Sequence, residues 1–349
     1  MPFHPINPFV YGKPVPPSLF IGRRDVLRTV FSRLHHGDST ALLGLPHFGK
    51  SSVLRYLDSA AVRRAWLGPA ADALQVVQVD CHALPACAQP ADLWRTLVDA
   101  ALAAWGDDAM VRQAAAAAQG SGYAPLPMTR LFGQVLGQDG RRVALLLDEV
   151  EVLLHHPSFC RAEFLGMLRS LATRTDGLVL LLASAVSLTQ MNRLSAEANR
   201  GSPFFNNCIE VPLVPLSVDE IRLLLDTSLG ERGDFFQPQD HAFIIAQSGG
   251  QPYLVQATAA ALFDRVAEGM PVGPERYEHA ARRGGPEVRR LLWSRLHGDV
   301  CGYAVWLWNQ RKERPLGNAI FRYLLREATE LGDAERRALQ EKNVACGVF

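Results

Sequence analysis

Apolar positions along this chain follow two rhythms. In "FIGRRDVLRTVFSRLHH", Val26, Leu27, Val30, Phe31 and Leu34 recur three or four positions apart, which is one face of a helix, with Asp25 as its expected N-cap. "STALLGLP" is then a short apolar run ending in glycine, and "SSVLRYL" returns to helical spacing with Val53, Leu54 and Leu57 inward. "LQVVQVDCHAL", "RRVALLLDEV", "GLVLLLAS" and "CIEVPLVPL" are further apolar runs. They are too short for lone helices and suit strands buried on both faces. Pro212 argues against a central place for the last of them. Between the strands lie an alanine-rich helix from about 91 to 119, broken near Gly106, and two more helical stretches, "MTRLFGQVLGQ" and "FCRAEFLGMLRSLATR".

Strands alternating with helices predict a three-layer α/β/α domain around a five-stranded parallel sheet. The pattern changes after Pro215. "SVDEIRLLLDTSL" opens with a capping box, Ser217-x-x-Glu220, and everything to Leu296 reads as helix. The expected organisation is therefore an extended arm at 1–19, an α/β domain at 20–215, an all-helical lid at 216–297 and a small C-terminal segment at 298–349. The arm carries six prolines and reads as a strand of chain laid on a folded surface. In the last segment, helices near 316–329 and 333–343 precede "VACGVF", the opening strand of a winged-helix-like unit that is expected to be incomplete.

Composition narrows the function classes only a little. With 349 residues, 48% apolar and 20% charged, the chain is an ordinary globular protein of two or so domains. A net charge of +1 gives no whole-chain attraction to a polyanion or a membrane surface. The N-terminus lacks an apolar signal core, and runs such as Leu178–Ala183 fall far short of a membrane span, so a soluble cytoplasmic protein without a membrane partner is expected. The cysteines (Cys81, Cys87, Cys160, Cys208, Cys301 and Cys346) form no CxxC pair. Although Cys81, His82 and Cys87 lie close together, no second ligand pair follows, and reduced thiols are expected rather than a metal site.

The chemistry lies at the strand ends. "GLPHFGKS" is Gly44-x-x-x-x-Gly49-Lys50-Ser51, between a strand and a helix. In that context it is the phosphate loop of a P-loop NTPase. Residues Gly44, Leu45, Pro46, His47, Phe48 and Gly49 curl so that backbone N–H groups face one concavity, and Lys50, Ser51 and Ser52 open the helix whose N-terminus adds positive potential. Lys50 reaches the outer phosphates and the Ser51 hydroxyl coordinates Mg²⁺. "VALLLDEVEVL" puts Asp148 and Glu149 at the C-terminal end of a buried strand, the edge where parallel sheets bind ligands. Asp148 is the expected metal ligand, and Glu149 the carboxylate that polarises the attacking water. Ser184, ending "LLLAS", is a candidate γ-phosphate contact, with ordinary turn chemistry as its alternative. Arg200 is a candidate for the cation that stabilises phosphoryl transfer, in cis or from a neighbouring subunit.

These motifs resemble the STAND branch of the AAA-related P-loop ATPases over about residues 7–265. "NPFVYGKPVPPSLFIGR" resembles the lead-in segment of the bacterial members, and the resemblance implies that Phe20, Ile21, Gly22 and Arg23 lie against the adenine. "GSPFFNNCIEVPLVPLSVDE" resembles the passage from last strand to lid. "SGGQPYLVQ" resembles the lid motif whose Gly-x-Pro, here Gly250-Gln251-Pro252, reports nucleotide state. The family implies an ATP/ADP-operated, Mg²⁺-dependent switch that hydrolyses slowly, partnered by a second copy or by an effector or sensor chain. This chain also departs from the family. The loop interior "LPHF" lacks the usual arginine pair, Pro46 stiffens the loop and Phe48 is set near the phosphates, and no repeat array follows, whereas the absence of a sensor-2 arginine from the lid suits the STAND branch and argues against ordinary AAA+ motors. The missing array implies a sensor and effector on other polypeptides, or a shortened version of a longer ancestor. A DNA-binding initiator or loader of the origin-recognition type is the alternative, motivated by the excess of Lys and Arg over 276–349. A small-molecule kinase ranks third, because no acceptor-site base follows the loop.

Overall fold

The computed structural model describes residues 5–44, 46–199, 204–232 and 234–284. They form, in order, α1 (Arg24–His36), β1 (Thr40–Leu43), α2 (Lys50–Asp58), α3 (Ala60–Leu67), β2 (Leu74–Asp80), α4 (Pro90–Trp105), α5 (Ala109–Gly120), α6 (Pro125–Thr129), β3 (Arg142–Asp148), α7 (Ala162–Arg174), β4 (Leu178–Ser184), α8 (Leu188–Asn199) and β5 (Ile209–Pro212). Helices α9 (Val218–Leu229), α10 (Pro238–Ser248), α11 (Pro252–Ala267) and α12 (Pro274–Gly284) follow. The expected C-terminal helices and strand beyond Gly284 lie outside the described residues.

All five strands are parallel, in the order β2-β3-β4-β1-β5. Successive side chains of a strand point to opposite faces, and both faces here are apolar. Val143, Leu145 and Leu147 of β3, with Leu178, Leu180 and Leu182 of β4, join the core under α4, α5 and α7. Ala144, Leu146, Val179, Leu181 and Ala183 join the core under α1 and α2. β5 takes the sheet edge beyond β1, so Pro212 ends a strand where a missing donor costs least. The register brings Leu43, Asp80, Asp148, Ser184 and Pro212 to one C-terminal edge.

A third core binds α9, α10, α11 and α12 around Leu225, Ile244, Val255 and Phe263, and Phe9 of the arm is part of it. The capping box of Ser217 and Glu220 forms at the start of α9.

Two local expectations differ from the structure. Asp25 lies inside the first turn of α1, and the N-cap is Arg23 in left-handed backbone at φ 59°. Glu220 of α9 accepts from the Arg23 N–H, so a contact from the helical region sets the chain direction there. The helix expected over "MTRLFGQVLGQ" begins as α6 and continues as a wider π-helical stretch, Arg130–Leu136.

Candidate functional site

The phosphate loop leaves β1 and turns into α2 above the sheet edge. Its curl needs left-handed backbone at Gly49 (φ 86°), which glycine supplies without strain. His47 adopts the same region at φ 65° despite its side chain. The Lys50 ammonium, buried, donates to the Gly44 carbonyl at 2.8 Å, so the lysine crosses the loop it closes. Burial pulls the Lys50 pKa down, and the charges of Glu151, Asp148 and Glu149 pull it back up. The Ser51 hydroxyl hydrogen-bonds Asp148, which also accepts from the Glu149 N–H at 3.1 Å. Burial pushes the Asp148 carboxyl up, against the lowering effects of Ser51 and Lys50. Such a carboxylate–hydroxyl pair beside a lysine fits one small hard cation, which takes its other ligands from phosphates and water. Mg²⁺ would be held by Ser51 and Asp148.

Phe48 lines the cleft and is also packed into the core. Its ring, 2% exposed, sits in the core with Leu42, Leu54 and Leu213. Its carbonyl accepts from the Arg23 guanidinium at 2.8 Å, and the same guanidinium donates to the Val214 carbonyl just past β5.

Glu149 stands at φ 52°, left-handed backbone that turns its side chain out of the strand and into the cleft. There its Oε2 lies 2.6 Å from Nε2 of His82, three residues past the Val79–Leu147 pairing on the neighbouring strand. His82 is itself held in a turn, its backbone N–H donating to Asp80 at 2.9 Å.

Loop, arm and helices enclose a cleft of about 270 Å³. Its floor is the loop from Pro46 to Ser52 with Glu149, and one wall is Leu19, Phe20, Ile21 and Arg23, Phe20 being stacked on Tyr56 at 4.5 Å. The opposite wall is the first turn of α11, with Pro252, Tyr253 and Gln256, and residues 10–15 of the arm pass over it. The arm is tied down at both ends. Asn7 donates to the Ala260 carbonyl and to Asp264, both at 2.9 Å, and the Val10 N–H donates to Gln256 at 3.2 Å. At the other end the Val15 N–H donates to Ser52 Oγ at 3.2 Å, and Arg55 donates to the Pro14 carbonyl at 2.8 Å. Tyr253 meets His47 of the loop at 4.7 Å and Tyr11 of the arm at 5.8 Å between ring centroids.

The Gly-x-Pro motif sits at the junction of strand and helices. The Leu216 N–H donates to the Gly250 carbonyl at 2.8 Å, and a Cβ on Gly250 (φ 81°) would lie 2.4 Å from the Leu216 carbonyl oxygen. Gln251 caps α11 by accepting from the Leu254 N–H at 2.7 Å.

The structure thus gathers Phe20, Ile21, Arg23, Pro46, His47, Phe48, Gly49, Lys50, Ser51, Ser52, Glu149 and Pro252 around one cleft, with Gly44 and Asp148 beneath it. Ser184 is fully buried, and its Oγ donates to the Val186 carbonyl and accepts from the Val186 N–H, each at 2.9 Å. That is the turn chemistry held as its alternative. Leu45 and Arg200 lie outside the described residues. Sequence reasoning missed His82 as a partner of Glu149, the arm as a wall of the cleft, Tyr253, and Glu151. The adjacency of His82 to the β2 end was the one available signal, since β2 and β3 end in register at Asp80 and Asp148.

A parallel sheet in this order, a GxxxxGKS loop between β1 and α2, and an aspartate ending β3 define the α/β fold of the P-loop NTPases. No family description and no curated protein matches the chain. Solved structures do match. A Walker-type ATPase of Pyrococcus abyssi superposes with a TM-score of 0.52 at 16% identity, over 93% of this chain and 89% of that one. The ORC2 protein of Aeropyrum pernix, in ADPNP–ADP complexes, gives 0.49 at 12% identity over 93% and 84%. Domain III of the Thermotoga maritima replication initiation protein DnaA gives 0.45 at 13% over 79% and 100%. At these identities the likeness speaks for the fold, and the first alone is strong enough to carry that argument. Among the described residues, no helix is long and apolar enough to cross a membrane.

Proposed function

We propose that this chain is an ATP-binding, Mg²⁺-dependent ATPase working as a nucleotide-operated switch of the STAND kind, with slow hydrolysis resetting it. The observation that carries the reading is the shared cleft: Lys50 and Ser51 after the loop, Glu149 just past β3 and Pro252 of α11 line the same space. The phosphates lie on the loop, with Lys50 exchanging its Gly44 carbonyl for them. The adenine takes the apolar wall of Leu19, Phe20 and Ile21. When bound, Mg²⁺ neutralises phosphate charge, with Ser51 and Asp148 as its protein partners. Glu149 orients the attacking water, and its bond to His82 must open for it to do so.

Switching follows from who touches the nucleotide. α11 contacts it through Pro252 and is tied through Gly250 to Leu216, a buried residue between β5 and α9. ADP and ATP that seat α11 differently therefore bias the helical region at that junction, with residue 215 as the proposed boundary. The output is a contact with a second copy or another protein chain in the cytoplasm. A Lys50→Ala variant should lose ATP binding, and unchanged affinity for labelled ATP would sink the nucleotide assignment. Light scattering of the full chain with ADP and then with a slowly hydrolysed ATP analogue tests the switch. An identical mass in both states, with no partner present, counts against self-assembly as its output.

A further inference from the structure

The hydroxyl expected at the end of β4 is consumed by its own turn, and a different side chain occupies that place. Glu151 lies in the 3-10 turn Val150–His155 that follows β3. It reaches to the end of β4, where its Oε1 accepts from the Ala185 N–H at 3.0 Å. Because β4 lies between β3 and β1, this bond carries the carboxylate from the Asp148 strand toward the phosphate loop. Its other oxygen, Oε2, is buried with no hydrogen-bond partner among the described residues. Lys50 feels the charge of Glu151 more strongly than that of Asp148 or Glu149.

A buried carboxylate oxygen without a donor carries a desolvation penalty that a donor would remove. We propose that Glu151 is a positioning residue of the Mg²⁺–nucleotide complex, Oε1 staying on Ala185 while Oε2 accepts from a water in the metal's coordination shell. This rests on the reading of the cleft as an ATP·Mg²⁺ site. Mg²⁺ gives up its waters reluctantly and usually keeps several. The polarised O–H groups of those waters bond most strongly to an anionic acceptor. Outer-shell partners of this sort tune metal affinity more than they tune the ligand they never touch. Glu151 therefore sets how tightly the metal is held, leaving metal-free nucleotide affinity alone. It also fixes the turn after β4 to the metal side of the cleft.

The test is Mn²⁺ binding to the ADP-loaded full chain, followed by electron paramagnetic resonance, for wild type and Glu151→Gln. The amide retains an oxygen for the Ala185 N–H but presents NH₂ where Oε2 was, so it cannot accept from a metal-bound water. Mn²⁺ affinity should fall roughly tenfold, with ADP affinity in chelator and the unliganded melting temperature unchanged. An unchanged Mn²⁺ affinity overturns the proposal, as does an equal loss of ADP affinity without metal, which would mean a structural role only. If wild type itself binds no ADP, the ATP-site reading falls and takes this inference with it, a pattern distinct from either result. A crystal structure of the wild-type Mg²⁺·ADP complex gives a reading independent of the variant. Oε2 bonded to a metal-bound water supports the proposal, and Oε2 without one overturns it.

Discussion

Nε2 of His82 lies 2.6 Å from Oε2 of Glu149, so the carboxylate proposed to orient the attacking water is tethered to the neighbouring strand's end. β2 is the sheet edge farthest from β1 and its phosphate loop, so the tether draws Glu149 away from the phosphates. The two side chains are 61% and 37% exposed, which limits the pair to about 1 kcal/mol or less. Releasing Glu149 with His82→Ala should therefore raise the ATP hydrolysis rate, by no more than roughly fivefold. ATP affinity should hold, because His82 is not among the residues lining the cleft. Single-turnover hydrolysis with affinity measured in parallel decides it. A rate that falls would mean that His82 orients Glu149 productively.

Arg23 joins three parts of the molecule. Its guanidinium bridges the Phe48 carbonyl in the phosphate loop and the Val214 carbonyl past β5, while its N–H is held by Glu220 of α9. Removing it with Arg23→Ala strands two carbonyls in a buried setting, at a cost of about 2–5 kcal/mol to stability. Arg23→Lys should recover little, because a single ammonium lacks the planar fork that spans both acceptors. Chemical denaturation of the two variants checks this. A lysine variant as stable as wild type would show that charge, not the bridge, is what the site needs.

Much of the α/β part was legible because its signals are local. Leu145, Leu146 and Leu147 cannot all be inward on a helix or a half-exposed strand, so a buried parallel strand was the remaining reading. Gly49, Lys50 and Ser51 likewise carry their chemistry in adjacent positions. The Arg23 bridge and the His82–Glu149 contact pair residues far apart in the chain through polar side chains, which leave no periodic trace. The core packing of Phe48 was illegible for a related reason: its position beside Gly49 is visible in the sequence, but the burial of its ring depends on Leu213 and Leu42. The arm's prolines announced extended chain and gave no hint of what it lies against.

Thiol chemistry gives a check on the packing independent of nucleotide. Cys81 and Cys208 are buried, and burial raises both thiols, Cys208 to about 12. At pH 8 only about one Cys208 in ten thousand would be thiolate, the reactive form. Cys87 is exposed. Brief alkylation of the folded protein at pH 8, followed by peptide mass spectrometry, should label Cys87 and spare Cys81 and Cys208. For these two groups the folded state holds its proton above the unfolded value, so their contribution to stability is full at low pH and is lost as pH rises toward the folded pKa. Early labelling of Cys208 would contradict the packing of the turn at Phe204–Asn207 against α7.

The arm should govern nucleotide release. Phe9 is buried against Phe236 at 5.9 Å and Phe263 at 6.2 Å, and it anchors the segment whose residues 10–15 cover the cleft. Truncating a ring of this kind costs about 3–5 kcal/mol. The arm is a single extended segment laid on that core, so most of that loss should appear as undocking of the arm rather than unfolding of α9–α11. Ser52 would lose its bond from Val15, and one wall of the cleft would open while Lys50 and Ser51 kept their places. Phe9→Ala should therefore speed dissociation of a fluorescent ADP at least tenfold in stopped flow, with a smaller effect on association. Limited proteolysis supplies the control, since cleavage ahead of Phe20 should rise in the variant. If the arm becomes cleavable while ADP leaves at the wild-type rate, the arm packs over the cleft without gating it.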